Sequence, residues 1–310
     1  MLKICGKVLE SGSKLKCSLG PEGYPMPVTL VSGKNPGKTL LITAQIHSGE
    51  YAGTPAVIRL ANEVDPDMLD GNLVLFHLVN ITGFYEGMNA YVPEDHGNLN
   101  GCYPGNTDTV SGRIASFFVN EVFPFVDAVI DLHGGGMNER LSPCLFYPGA
   151  NDDVRKKSIE IADATDIPVF IMSRSTTGEV GYAGNILGIP SLFLERGYGG
   201  MYEKEWGDKY YRDLRLILDN LGMYHTDMVT ACEKRDFTEA IYMESADNGL
   251  WYPAVELNQV VHSGDYMGKV EDLYGNILSK YYAQADGEVM YYRTSMNAVK
   301  GHNLVSYVLY

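Results

Sequence analysis

Five apolar runs of strand length punctuate the first two-thirds of the chain, and stretches with helical spacing separate them. The runs cover residues 38–46, 72–79, 127–132, 168–172 and 190–194. Each fits one strand, and near-continuous apolar character means burial on both faces. Helical patterns lie at 53–64, with Pro55 near the first turn, and at 111–123, 151–164 and 205–222, where Leu221-Gly222 gives a stop. Apolar strands alternating with helices predict an α/β fold with a mixed, mostly parallel sheet flanked by helices. Functional groups in such sheets sit at the carboxyl ends of the strands. Residues 3–31 read as short edge strands. Residues 84–110 read as a long polar loop of the kind that carries function.

Beyond residue 236 helical periodicity stops, and Gly249, Gly264, Gly268, Gly275, Gly287 and Gly301 punctuate Tyr- and Val-rich segments. That texture predicts a small C-terminal β domain over 236–310 after a catalytic domain over 1–235, an arrangement that suits 310 residues. The formal net charge of −15 argues against nucleic acid and anionic membrane as partners. No run approaches the roughly 18 apolar residues of a membrane helix. Met1-Leu2-Lys3-Ile4-Cys5 lacks the features of a signal peptide, and the five scattered cysteines contain no Cys-x-x-Cys. The expectation is a cytoplasmic protein with free thiols and a small-molecule substrate, the β domain leaving a homo-oligomer open.

The first run ends in His47-Ser48-Gly49-Glu50, and of seven histidines only His47 has Glu three residues later. An imidazole beside a carboxylate offers two zinc ligands, and a catalytic zinc usually needs one more. The pair alone fits equally well a strand-end histidine bonded to its neighbour. His133 adds a second strand-end imidazole, with three glycines after it that let the backbone turn away from a crowded centre. Two histidines and one carboxylate are the ligand set of zinc peptidases. Asp131 is placed either to orient His133 or to form an ordinary ion pair. Glu195 closes the last run in Leu194-Glu195-Arg196-Gly197. It suits the base that takes a proton from a zinc-activated water, the competing reading being an ion pair with Arg196. No serine-hydrolase elbow and no dinucleotide or P-loop signature is present.

His47-x-x-Glu50, then Asn98-Leu99-Asn100 with Tyr103-Pro104-Gly105, then Asp131-Leu132-His133, then Leu194-Glu195 resemble the succinylglutamate desuccinylase/aspartoacylase family. These are zinc hydrolases related to the metallocarboxypeptidases. The resemblance spans roughly residues 25–225, and Val261–Asp265, Ala285–Val289 and Lys300–His302 are similar to the family's small β domain. It implies a zinc carboxypeptidase-like fold, zinc held by His47, Glu50 and His133, and Glu195 as general base and acid. It also implies Asn100 as a substrate-binding residue. The activity implied is deacylase- or carboxypeptidase-like cleavage of an amide bond in a small N-acyl amino acid or peptide-like substrate. The family pattern places Arg after the asparagine, but Gly101 stands here. A bidentate arginine–carboxylate contact is worth about 1.5–3 kcal/mol. Arg113 and Arg140 are the expected replacements, with Arg174 and Arg196 behind them. A zinc esterase on the same site and, because of Gly101, a non-catalytic binding protein on the same scaffold are the alternatives.

Overall fold

The strand-forming runs assemble into one nine-stranded sheet in the computed structural model of the protein, which describes residues 1–230 and 232–310. Across it the order is Arg235–Phe237, Val169–Ser173, Cys144–Pro148, Ser191–Glu195, Ala128–His133, Asn35–Ala44, Asp70–Phe76, Met26–Ser32 and Ser13–Leu19. Five of its eight pairings are parallel, so the sheet is mixed and mostly parallel as the alternation requires.

Both faces are covered. Leu40, Ile42 and Ala44 face one core while Leu41 faces the other, the two-residue period of a strand buried on both sides. The first core takes helix Gly53–Glu63 through Ala56, Val57, Leu60 and Ala61, and helix Lys204–Asn220 through Tyr210, Leu214, Ile217 and Leu218. On the other side helix Val110–Phe117 buries Ile114 and Ala115 against Val74 and Phe76. Thr109 caps that helix, its hydroxyl accepting from the Gly112 N–H. The helix expected to reach 123 leaves α geometry after Phe117: it widens into a π turn over Phe118–Val122, and a 3₁₀ turn that holds Pro124 in its first turn follows at Phe123–Phe125. Within the expected loop 84–110 lie the end of helix Ile81–Glu86, the two-residue strands Tyr91–Val92 and Gly97–Asn98, and the turn Leu99–Gly101.

The C-terminal part is all β among the described residues. One antiparallel sheet runs Glu139–Leu141, Gly287–Arg293, Asn303–Leu309 and Ala240–Glu244, with Val260–Val261 also on Gly287–Arg293. A second holds Ile277–Tyr282, Tyr266–Glu271, Gly249–Pro253 and Asn297–Ala298. They enclose a core of their own around Trp251, Val270, Val289, Leu304 and Tyr307. Two strands stitch this part to the rest. Glu139–Leu141 leaves the first 235 residues to join the C-terminal sheet, and Arg235–Phe237, which straddles residue 235, ladders onto Val169–Ser173 in the central sheet. Among the described residues no helix is long and apolar enough to cross a membrane.

Candidate active site

Three adjacent strands deliver the site. Asn35–Ala44 opens into a loop at Gln45, whose φ of 55° turns the chain out of the sheet, and Gln45 Nε2 ties the loop back through the Ser48 carbonyl at 2.8 Å. Ala128–His133 pairs with it in parallel, Thr43 opposite Asp131. Ser191–Glu195 pairs on the far side, Glu195 opposite His133. Register alone therefore puts His133 and Glu195 level with each other, one residue beyond the end of the first strand. A Cβ on Gly134 would lie 2.4 Å from the Arg196 backbone carbonyl, so this position of the turn needs to be glycine.

His47, Glu50 and His133 each present a ligand atom within 4.8 Å of the others. Glu50 lies between the imidazoles: His47 Nδ1 is 2.8 Å from Oε1 and His133 Nδ1 2.9 Å from Oε2. The far nitrogens are occupied. His47 Nε2 meets Asn98 Oδ1 at 3.0 Å, and His133 Nε2 meets Asp131 Oδ2 at 2.7 Å. The Thr43 hydroxyl donates to the other oxygen of Asp131 at 2.9 Å. Phe193 stacks on the His133 ring with centroids 3.8 Å apart, fixing its plane. Asp131 thus orients His133 rather than forming a surface ion pair.

The donor set fits a metal ion. His133 Nδ1 is buried and, despite its closeness to Glu50, is not aligned for a hydrogen bond, so it lacks a partner among the described residues. Burial would raise Glu50, but His47 and His133 overcome it and hold the carboxyl down at about 2. Burial opposes charge on the imidazoles, yet Glu50 raises His47, and Asp131 with Glu50 raises His133 well above the usual range. Buried carboxylates that draw protons onto both rings are the surplus of negative charge that a bound divalent cation balances.

Glu195 stands beside this cluster without an ion pair among the described residues. Arg196, its sequence neighbour, is buried in a two-pronged contact with Asp213 at 2.7 and 3.2 Å. Glu195 Oε2 is buried with no hydrogen-bond partner, and burial, followed by the repulsion of Glu50, pushes its carboxyl well above the usual range. It lies where cavities meet. One of about 590 Å³ is lined by His47, Glu50 and Asn98; one of about 240 Å³ by Asn100, Ser173, Thr177 and Phe193. Asn100, whose Oδ1 is buried and unpartnered, lines the second.

Neither expected arginine reaches these cavities. Arg140 alternates with Glu139 and Leu141, which line the larger one, so the strand period points Arg140 outward to the ring of Tyr198. Arg113 is half-buried on helix Val110–Phe117 and lines neither. Arg174 borders a separate cavity with Thr238 and Glu239. Residues without a role in the sequence reading also belong to the site. Tyr210, at a core spacing of the long helix, reaches the His133 and Leu194 carbonyls with its hydroxyl. Glu139 and Arg293 line the larger cavity, and nothing local in their sequence marks them.

The model of the succinylglutamate desuccinylase/aspartoacylase catalytic domain matches residues 36–219. The chain belongs to the succinylglutamate desuccinylase/aspartoacylase family. Within it, N-alpha-acetyl-L-2,4-diaminobutyric acid deacetylase of Halomonas elongata is 26% identical over 272 residues, 84% of this chain and 79% of that protein. Among solved structures, the product-bound ectoine utilization protein EutE (DoeB) of Ruegeria pomeroyi superposes with a TM-score of 0.86 at 22% identity, covering 98% of each chain. A succinylglutamate desuccinylase/aspartoacylase of Rhodobacter sphaeroides gives 0.81 at 22% identity, over 95% of this chain and 94% of that one. These likenesses extend the family fold through the C-terminal sheets, beyond the stretch that the family model covers.

Proposed function

We propose that this protein is a zinc-dependent deacylase that cleaves the amide bond of a small N-acyl amino acid. The observation that carries the reading is the placement of Glu195: half-buried, with its Oε2 shut off from solvent and unpaired, and level with His133 beside three converging ligands. His47, Glu50 and His133 are the zinc ligands in this reading. Zinc bound there supplies a Lewis acid and acidifies a water to a pKa of about 7. Asp131 keeps Nδ1 of His133 turned toward the cluster, and Asn98 does the same for His47.

Glu195 accepts the proton of the attacking water at its carboxylate and returns it to the leaving nitrogen as the amide bond breaks. A carboxyl whose proton affinity is raised by burial suits both halves of that transfer. The Asn100 amide, facing a pocket with no charge besides Glu195, positions an uncharged part of the substrate. The activity named for the Halomonas elongata relative, removal of an acetyl group from an amino acid nitrogen, supports the amide. The test is release of free amine from N-acetyl amino acids, short peptides and matched esters by zinc-loaded protein. Turnover of an N-acetyl amino acid is expected. A protein that takes up no zinc, or that turns over none of the amides, overturns the reading.

A further inference from the structure

We propose that a third, apolar cavity beside Glu195 is an acyl-chain pocket. The preferred substrate then carries an uncharged hydrocarbon acyl group of about five or six carbons in place of an acetyl or a dicarboxylic one. The proposal rests on the deacylase reading above and deepens it by naming the acyl class.

The cavity encloses about 130 Å³, and beside Glu195 its walls include Leu141, Cys144, Phe146, Ile171, Met290 and Val308. It adjoins the 590 Å³ cavity of the three converging ligands, since Leu141, Glu195, Tyr291 and Asn303 line both. The 240 Å³ cavity shares only Glu195 with that larger one among the described residues, and it carries Asn100, Ser173, Ser175, Thr177 and Asn185. A carbonyl held between the ligands and Glu195 therefore has a hydrocarbon wall next to it on one side.

Glu195 apart, that wall is uncharged. No arginine, lysine or histidine lines it among the described residues. Burial pushes the Cys144 thiol well above its usual range and the Tyr242 phenol up to about 12, so both stay neutral. Two hydroxyls of the lining are already engaged: that of Tyr307 accepts from the Gln284 N–H at 2.8 Å, and that of Ser306 accepts from Asn303 Nδ2 at 2.7 Å. Asn303 Oδ1 is buried without a partner among the described residues, and Asn303 stands where the two cavities adjoin. The N–H of an amide lying between them supplies the donor it lacks. A carboxylate at the end of the acyl group would be buried with no cation to receive it, and a hydrocarbon meets no such penalty.

Size sets the length. An apolar cavity of about 150 Å³ holds a benzene ring, so about 130 Å³ holds about four or five carbons beyond the carbonyl, the chain of a pentanoyl or hexanoyl group.

The test is an acyl series, acetyl to octanoyl with succinyl added, on the amino acid whose N-acetyl form zinc-loaded wild type turns over fastest. For wild type, kcat/KM is expected to rise about fourfold per methylene from acetyl to pentanoyl, roughly 60-fold in all, and to stop rising beyond hexanoyl. Succinyl, close to pentanoyl in length, is expected at least about 10-fold below it. Ala240→Phe fills the cavity from the strand Ala240–Glu244, and Met290→Ala enlarges it. The first is expected to end the rise at propanoyl with acetyl turnover within about threefold of wild type, and the second to carry the rise past hexanoyl. Shifts in opposite directions are a readout that general damage to the fold does not give, and zinc content and Tm show that each variant is folded.

A flat series in wild type, succinyl equal to pentanoyl, or variants with the wild-type profile overturn the proposal. So does a series with acetyl fixed in which Ala240→Phe acts on the length of the amino acid side chain instead. If wild type turns over no N-acyl amino acid of any length, the deacylase reading fails by itself. Calorimetry with the free acids, acetate to hexanoate, then decides the pocket: binding that tightens with length in wild type and not in Ala240→Phe upholds it, and equal or absent binding overturns it.

Discussion

Asp131 grips His133 at Nε2 over 2.7 Å, and that one contact decides which ring nitrogen turns toward Glu50. The grip is itself held, since Thr43 on the neighbouring strand donates to the second Asp131 oxygen and all three side chains are shut off from solvent. Asp131→Asn keeps the shape but brings a donor that turns the tautomer question around. Zinc affinity is expected to fall by roughly 10–100-fold, measured by competition with a chromogenic chelator. Affinity equal to wild type would show that the ring needs no such partner.

Glu195→Gln preserves size and removes the proton acceptor. We expect kcat to fall by about 10²- to 10⁴-fold with zinc still near one per chain by elemental analysis. Activity close to wild type would take Glu195 out of the reaction.

Tyr210 buttresses two strand ends at once, its hydroxyl lying 2.6 Å from the His133 carbonyl and 2.8 Å from that of Leu194. Tyr210→Phe removes the single hydroxyl proton that the two buried carbonyls share and should cost about 1–3 kcal/mol in denaturant titration. An unchanged midpoint would mean that the carbonyls find another donor.

Acid sensitivity is expected at the seam. The Arg235 hydrogen bond, outweighing a smaller burial penalty, holds the Glu288 carboxyl below the usual carboxylate range. Its folded pKa thus lies under its unfolded value of about 4.3, so the stabilisation is present above that pH and disappears as pH falls through the folded value. Because Arg235 is partly exposed, the contact is worth no more than about 1 kcal/mol. Arg235→Met should lower Tm slightly at pH 7 and converge with wild type below pH 3. A constant offset at every pH would assign the loss to packing.

The strands that carry the ligands were legible because each is buried on both faces and ends abruptly in a polar residue: Ala44 before His47, Leu132 before His133, Leu194 before Glu195. The intervening strand Cys144–Pro148 was not, since five residues with a terminal proline give no recognisable period. Arg113 sits in a segment that resembles the family's Arg-Ile-Ala helix start, and Arg140 follows the His133 loop, but neither position says which way the side chain points. Arg293 was invisible for the opposite reason: it reaches the cavity through a ladder between distant parts of the chain, and no local pattern encodes such a pairing.

That ladder also orders events in time. Synthesis proceeds from the N-terminus, and segments fold as they become available. The three converging ligands and Glu195 are all made before residue 196, whereas strand Gly287–Arg293 comes close to a hundred residues later. A nascent chain would therefore carry all four of these side chains before it owns the wall that strand Gly287–Arg293 contributes to their cavity, and the enclosure is complete only as the last strands close over the seam.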